Sequence, residues 1–127
     1  MRLYAFTSMY LEGIHAGIQT AHLVSELAVK YTIHPSQREI FHTWAVHHKT
    51  IFISNGGYAS SLRDRYSRLK EKADLYYLPV AKFHESQDAL DGAITAIGII
   101  VPEEFYSRFG AKDDELLKLL TECERAR

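Results

Sequence analysis

Three polar side chains in the stretch GIHAGIQTAH could act together. His15, Gln19 and His22 recur at spacings of four and three, which places them on one stripe if the segment is helical. An imidazole and a carboxamide both donate and accept hydrogen bonds, so such a stripe can form the wall of a polar ligand pocket. It suits a metal poorly, because His15 and His22 are too far apart along a helix for both to reach one ion at about 2 Å and no third strong ligand is near in sequence. The plainer alternative is a half-buried stripe whose polar groups are satisfied within the fold.

Other segments offer other chemistry. Asn55-Gly56-Gly57 ahead of a helix could turn backbone N–H groups toward a phosphate. It lacks the lysine and hydroxyl of a P-loop and the spacing of a dinucleotide fingerprint, and it also reads as a simple turn. In KFHESQDALDG, His84, Glu85, Asp88 and Asp91 are acid and base candidates, although carboxylates in such loops commonly serve as turn and cap residues. Arg108, between Tyr106 and Phe109 and just ahead of Gly110, could clamp a phosphate or lie free on the surface. His42, Trp44, His47 and His48 gather in one segment, where packing against a sheet accounts for Trp44. No G-x-S-x-G elbow is present, and Cys123 has no neighbours that would activate it as a nucleophile.

The elements that must position these groups follow from periodicity. Residues 2–8 read as a strand, and apolar positions Ile14, Ile18, Ala21, Val24 and Ala28, joined by Leu23 and Leu27, predict an amphipathic helix to about Tyr31. Pro35 disfavours helix at His34, and Ser36 with Glu39 predicts a capped second helix to about His48. A strand over Lys49–Ser54 and the Asn55-Gly56-Gly57 turn come next. A third helix, from about Ser60 to Ala73, is expected to be basic outside through Arg63, Arg65, Arg68, Lys70 and Lys72, with Leu62, Tyr66 and Leu69 inward. LYYLPVAKFHE reads as a strand whose Pro79 favours an edge or a strand start. The run Ala93–Val101 is apolar enough for a central strand covered on both faces. Pro102, Glu103 and Glu104 predict a short helix ended by Gly110, and Asp113 or Asp114 starts a final amphipathic segment, ELLKLLTECERAR.

The order β, α, α, β, α, β, β, α predicts an α/β fold. Its sheet is expected to be mixed and four-stranded, with helices on both faces and the last two strands antiparallel. Ligands of such sheets sit at the strands' carboxyl ends, which directs attention to residues 8–13, 54–58 and 85–92.

A chain of 127 residues suits one domain spanning residues 1–127. Charged residues are 24% and hydrophobic ones 46%, which marks a globular chain. No apolar run approaches the roughly 20 residues of a membrane span, and no signal-peptide pattern opens the sequence, so the cytoplasm is the expected compartment. One cysteine excludes an internal disulfide and a cysteine zinc cluster. Fifteen Lys and Arg against sixteen Asp and Glu disfavour a surface for long nucleic acid, while a few converging cations could still hold a small anion. Seven His and eight Tyr suit a polar pocket. No cofactor is implied.

Two resemblances bear on function. GIHAGIQTAH, LPVAKFHESQDALDGAITAIGI and the order of elements resemble the type-two peptidyl-tRNA hydrolases over most of the chain. Gln19 and His22 match that family's Gln-x-x-His. Leu78-Pro79-Val80 and Ala96-Ile97-Gly98 match its Leu-Pro-Val and Ala-Ile-Gly. The family's helix-start lysines fall on Gly13 and His15 and its loop aspartate on Glu85, which removes the cations expected to hold a tRNA phosphate. If the activity were kept, His22 and Glu85 would flank an ester-cleaving water.

The IHAGIQ helix start, the NGG turn and the C-terminal aromatic-arginine loop are similar to short phage proteins of the Thoeris anti-defence family. That resemblance implies a non-catalytic sponge binding cyclic ADP-ribose isomers, and in some members cyclic oligonucleotides, at subunit interfaces of a homodimer or larger homo-oligomer in the host cytoplasm. Under it Phe83 would stack on adenine, Arg108 would pair with the pyrophosphate, and Asp91 would accept from ribose or base. Gln19 and His22 would line the pocket, and Lys30 and Arg63 are further candidate cations.

Overall fold

In the computed structural model, which describes residues 1–85 and 92–126, the elements follow in the expected order. They are β1 (Arg2–Thr7), α1 (Ile14–Lys30), α2 (Pro35–Thr43) running into a π-helical turn (Trp44–His48), and β2 (Ile51–Asn55). Next come α3 (Ala59–Tyr76), β3 (Val80–His84), β4 (Ile94–Val101), a 3-10 turn (Glu103–Phe105) and α4 (Asp114–Thr121). The sheet order is β2-β1-β4-β3. β1 pairs parallel with β2 and antiparallel with β4, and β3 pairs antiparallel with β4. The fold is therefore α/β around a mixed four-stranded sheet. β4 is central and buried along its whole length. Pro79 precedes β3 at a sheet edge, where its missing N–H costs no ladder bond.

The two faces of the sheet differ in side-chain size. Leu3, Ala5, Ala81, Ala96 and Ile100 pack with Leu23 and Leu27 of α1 and with Trp44. Tyr4, Phe6, Ile97, Ile99 and Val101 pack with Leu62, Leu69 and Ala73 of α3 and with Leu116, Leu119 and Leu120 of α4. On the small-residue face α1 sits close. A Cβ added at Gly98 would lie 2.7 Å from Leu23 Cδ2 and 2.9 Å from the Tyr4 carbonyl oxygen.

That close seat reverses the expected orientation of α1. Its buried residues are Ala16, Thr20, Leu23 and Leu27, while Ile14 is 75% and Ile18 44% exposed, and Ala21 and Ala28 are exposed too. The small residues Ala5, Ala81, Ala96 and Gly98 on the strands leave the room that Leu23 and Leu27 fill, with Ala16 and Thr20 completing the seat.

Other expectations also shift. α2 begins at Pro35 with extended His34 as its cap residue and no side-chain cap bond, because proline suits the first helical turn, where no N–H partner is needed. Ser36 therefore lies inside the helix. Arg65 is not on an outer basic face: its side chain donates to the Leu119 carbonyl at 2.6 Å and pairs with Glu122 at 2.8 Å. Of LYYLPVAKFHE, Leu75 and Tyr76 finish α3 and Tyr77 turns left-handed (φ 56). After Pro102 the helix is a single 3-10 turn ending at Phe105, well before Gly110. α4 stops at Thr121, and the tail pairs with β2, with the Asn55 N–H donating to Glu124 O at 2.8 Å and the Ala126 N–H to Ile53 O at 2.9 Å.

Backbone groups on both edge strands are met in this way, which blunts open-edge pairing there. The tail lies along β2. On β3 the Tyr31 hydroxyl both donates to Val80 O (3.0 Å) and accepts from Val80 N–H (3.1 Å).

α3 is fastened to α4 through Asp113. This residue caps α4 by accepting from the Leu116 N–H at 2.9 Å, and it accepts from Lys72 Nζ at 2.9 Å and the Tyr76 hydroxyl at 2.7 Å. Burial works to raise its pKa, but the bonds from Lys72, Leu116 and Tyr76 outweigh burial and hold it at about 2, below the usual 3.8. The stabilisation is complete above pH ~4 and is lost as pH falls through ~2. Asp113→Asn should cost about 2 kcal/mol at pH 7, and urea titrations should show the gap to wild type closing between about pH 4 and 2. A gap independent of pH would refute the charge contribution. Gly98→Ala should lose about 1–3 kcal/mol by overpacking against Leu23 and the Tyr4 carbonyl. An unchanged denaturation midpoint would show that α1 can shift at no cost.

Candidate ligand site at the carboxyl edge of the sheet

Because β3 runs in the same direction as β1 and β2, the carboxyl ends of all three share an edge with the start of β4. This is the edge that open α/β sheets use for ligands. It holds a cavity of about 370 Å³ lined by Ser8, Tyr10, Leu11, Ala59, Ala93, Ile94 and Thr95. Tyr10 of this lining meets Tyr58 edge to face, ring centres 5.8 Å apart.

The Asn55-Gly56-Gly57 turn flanks this edge as a turn and not as a phosphate cradle. Each of its N–H groups has an acceptor in the protein: Asn55 donates to Glu124 O, Gly56 to Thr7 O at 2.8 Å, and Gly57 to Asn55 Oδ1 at 2.9 Å. Gly57 takes a φ of +82, which glycine adopts without steric cost.

On the α1 side the polar stripe is divided. Phe83 pairs with Ala96 but His84 pairs with Ile94, so Thr95 is an extra residue in β4, and a bulge of this kind re-aims a side chain. The Thr95 hydroxyl donates to Gln19 Oε1 at 3.1 Å, fixing the orientation of the carboxamide. One turn on, the His22 ring lies flat on Phe83, centres 4.7 Å apart and planes 10° from parallel. His15 is exposed. Thr7, fully buried on the strand beneath, has no partner for its Oγ1 among the described residues. At the end of β3, the His84 ring places Nδ1 3.0 Å from the Gly92 carbonyl. A carbonyl only accepts, so Nδ1 carries the proton.

Gln19, His22 and Phe83 are thus brought together, with Thr95 as their link to the cavity lining. The candidate cations are not. Lys30 is about 16 Å further along α1, with its Nζ donating to Val80 O at 2.8 Å. Arg63 is exposed on α3, across the sheet from α1. Arg108 is exposed beyond the carboxyl end of β4, at the edge opposite Phe83. Asp91 and Asp88 lie outside the described residues, and Glu85, half-buried, donates its N–H to Ala93 O at 2.9 Å. Burial pushes the Cys123 pKa up, which keeps it a thiol. Among the described residues no group of three His, Cys, Asp or Glu is placed to hold a metal ion, and no helix is long and apolar enough to cross a membrane.

Thr95 and the Tyr10–Tyr58 pair escaped sequence reasoning. The one signal for Thr95 is that it interrupts an otherwise apolar run. The aromatic stack and the oriented amide, on the α1 side of the sheet, make a surface for a planar, polar molecule, because ring faces stack on ring faces while the amide reads an edge. The hollow, with Ala59 and Ile94 in its lining, opens toward the α3 side and shares Thr95 with that surface.

Comparison with protein-family models and with curated proteins finds no match. The arrangement of residues must carry the functional argument. Replacing Gln19 and His22 together by alanine removes one side-chain hydrogen bond and one partly exposed stack, so stability should fall by only about 1–2 kcal/mol with cooperative unfolding retained. Loss of cooperative melting in circular dichroism would make the stripe part of the core.

Proposed function

We propose that this protein binds a cyclic nucleotide signal, a cyclic ADP-ribose isomer or a cyclic oligonucleotide, and sequesters it without turnover, so as to block host anti-phage defence. The observation that supports this most is the flat His22–Phe83 pair at the carboxyl edge of β3, one helical turn from the Gln19 carboxamide that Thr95 of the cavity lining holds. A base extends that stack by one ring, a contact worth about 1–3 kcal/mol. Gln19, oriented by Thr95, would read a base or ribose edge, and Asp91 would accept from ribose or base.

The groups beside the stack favour holding over hydrolysis. Gly13 and His15 stand where a peptidyl-tRNA hydrolase carries lysines, and the nearest candidate cation on α1, Lys30, is directed to the Val80 carbonyl at the far edge. Arg108 lies at the edge opposite Phe83, so a pyrophosphate bound beside this stack meets the Arg108 of another subunit. Sequestration in this form therefore requires a homo-oligomer, and Lys30 and Arg63 would likewise serve a neighbour's ligand.

The test is to incubate the purified protein with cyclic ADP-ribose isomers and cyclic oligonucleotides, remove free ligand, denature by heat and analyse the supernatant by mass spectrometry. Intact ligand is expected in the supernatant, and at 100 times its dissociation constant it should add about 2.7 kcal/mol of stability. Phe83→Ala should weaken binding by about 10- to 100-fold. Altered ligand or turnover of peptidyl-tRNA would refute the proposal in favour of an enzyme, and no stabilisation by any nucleotide would refute it outright.

A further inference from the structure

Three Lys or Arg side chains among the described residues are half-buried: Arg2, Arg65 and Lys72. A cation taken partly out of water is costly unless a carboxylate meets it. Arg65 has Glu122 at 2.8 Å, and Lys72 has Asp113 at 2.9 Å and Glu115 at 3.5 Å. Arg2 has no carboxylate within 4.0 Å among the described residues. Its guanidinium lies instead over two rings, 4.0 Å from the centre of Tyr106 and 4.7 Å from that of Phe52. Its Nη1 donates to the Tyr4 hydroxyl at 3.1 Å. Rings hold a guanidinium in place without neutralising it.

A second guanidinium shares one of these rings. Arg2 and Tyr4 of β1 and Phe52 and Ser54 of β2 alternate onto one face of the sheet, the α3 side, and the antiparallel tail sets Arg125 opposite Ser54. The Arg125 guanidinium lies 4.2 Å from the Phe52 centre, and its Nη1 donates to the Ser54 hydroxyl at 3.4 Å. The ring centre is 4.7 Å from one guanidinium carbon and 4.2 Å from the other, so the two are no more than about 9 Å apart. Arg125 is exposed and also has no ion pair among the described residues. The acid that faces this cluster is Glu103, exposed on the 3-10 turn: burial raises the Tyr106 pKa, Arg2 opposes the rise and Glu103 adds to it. It stays beyond ion-pair distance of both arginines. Each guanidinium has five N–H donors, and Tyr4 and Ser54 use one apiece. Two fixed positive charges with unused donors suit an anion that bridges them. A phosphate monoester matches them charge for charge, with three acceptor oxygens for two forks, whereas one carboxylate neutralises only one of them. We propose that Arg2 and Arg125, seated on Tyr106 and Phe52, form a binding site for the phosphate group of a small phosphate monoester. This site is on the opposite face of the sheet from the His22–Phe83 stack, and it stands whether or not that stack takes a nucleotide.

Calorimetric titration at low salt with methyl phosphate, carried to roughly 20 mM so that a millimolar complex is populated, should show one site per chain. Acetate should bind at least about 10-fold more weakly. Arg125→Gln removes an exposed fork and should weaken methyl phosphate by about 10-fold or more, with the melting temperature of the free protein unchanged. Arg2→Lys keeps the charge, loses the fork and should weaken binding too. Because that change also disturbs the packing on Tyr106, NMR of the wild type supplies a reading without mutation. The side-chain Nε–H signals of Arg2 and Arg125 should shift during the titration, and that of Arg38, on α2, should stay in place. A folded wild type that ignores methyl phosphate, equal affinity for acetate, full affinity in Arg125→Gln, or an Arg38 shift as large as the other two would each overturn the site. Phe83→Ala should leave methyl phosphate binding intact while it weakens cyclic nucleotide capture, so the two readings fail separately.

Discussion

The seat of α1 against Gly98 is the contact on which the rest of the structure turns. β4 is buried on both faces, so it needs a helix layer on each side, and the two layers are built to different clearances. Phe6, Ile97 and Ile99 hold α3 and α4 at the distance large side chains require. Ala5, Ala81, Ala96 and Gly98 let α1 drop onto the strands, with Leu23 over the glycine. That clearance decides which residues α1 can turn inward, and so which it must leave outside.

The candidate site is a consequence of the same seat. A helix this close to the sheet brings its polar flank level with the strand ends, where the Thr95 bulge meets Gln19 and Phe83 meets His22. Had α1 buried Ile14 and Ile18, the helix would be rotated by roughly half a turn and the same residues would point elsewhere. Edge protection then completes the frame. Tyr31 and Lys30 satisfy Val80 on one side, and the tail covers β2 on the other. Lys30 thus belongs to the fold's own bookkeeping of backbone groups.

Much of the fold was legible in the sequence. The nearly continuous apolar run identified β4 as central, Pro79 indicated an edge or a strand start, both of which hold for β3, and the short connection after β3 identified an antiparallel neighbour. These signals are local: each depends on what a residue can do on its own backbone. The orientation of α1 is not local. Its two sides are both apolar, so periodicity recognises a helix but cannot choose between them. The choice is made by alanines on β1, β3 and β4, far apart in sequence. Arg65 and the tail were misread for a related reason, because a charge run looks solvated until another element, here α4 or β2, is laid across it. At the site, Gln19, His22 and Phe83 were found by residue type, but the bulge that orients Gln19 depends on strand register, which no short motif encodes.

The separation of the stack from the cations follows from topology. α1 starts at the carboxyl edge and carries the chain back across the sheet, so its first half holds Gln19 and His22 and its last turn holds Lys30 at the opposite edge. β4 runs the other way and delivers Arg108 to that same far edge. An aromatic surface at one edge and arginine at the other are therefore separate features of one subunit. The polar flank of α1, with Gln19 and His22, meets the sheet at one edge, and its last turn, with Lys30, meets it at the other.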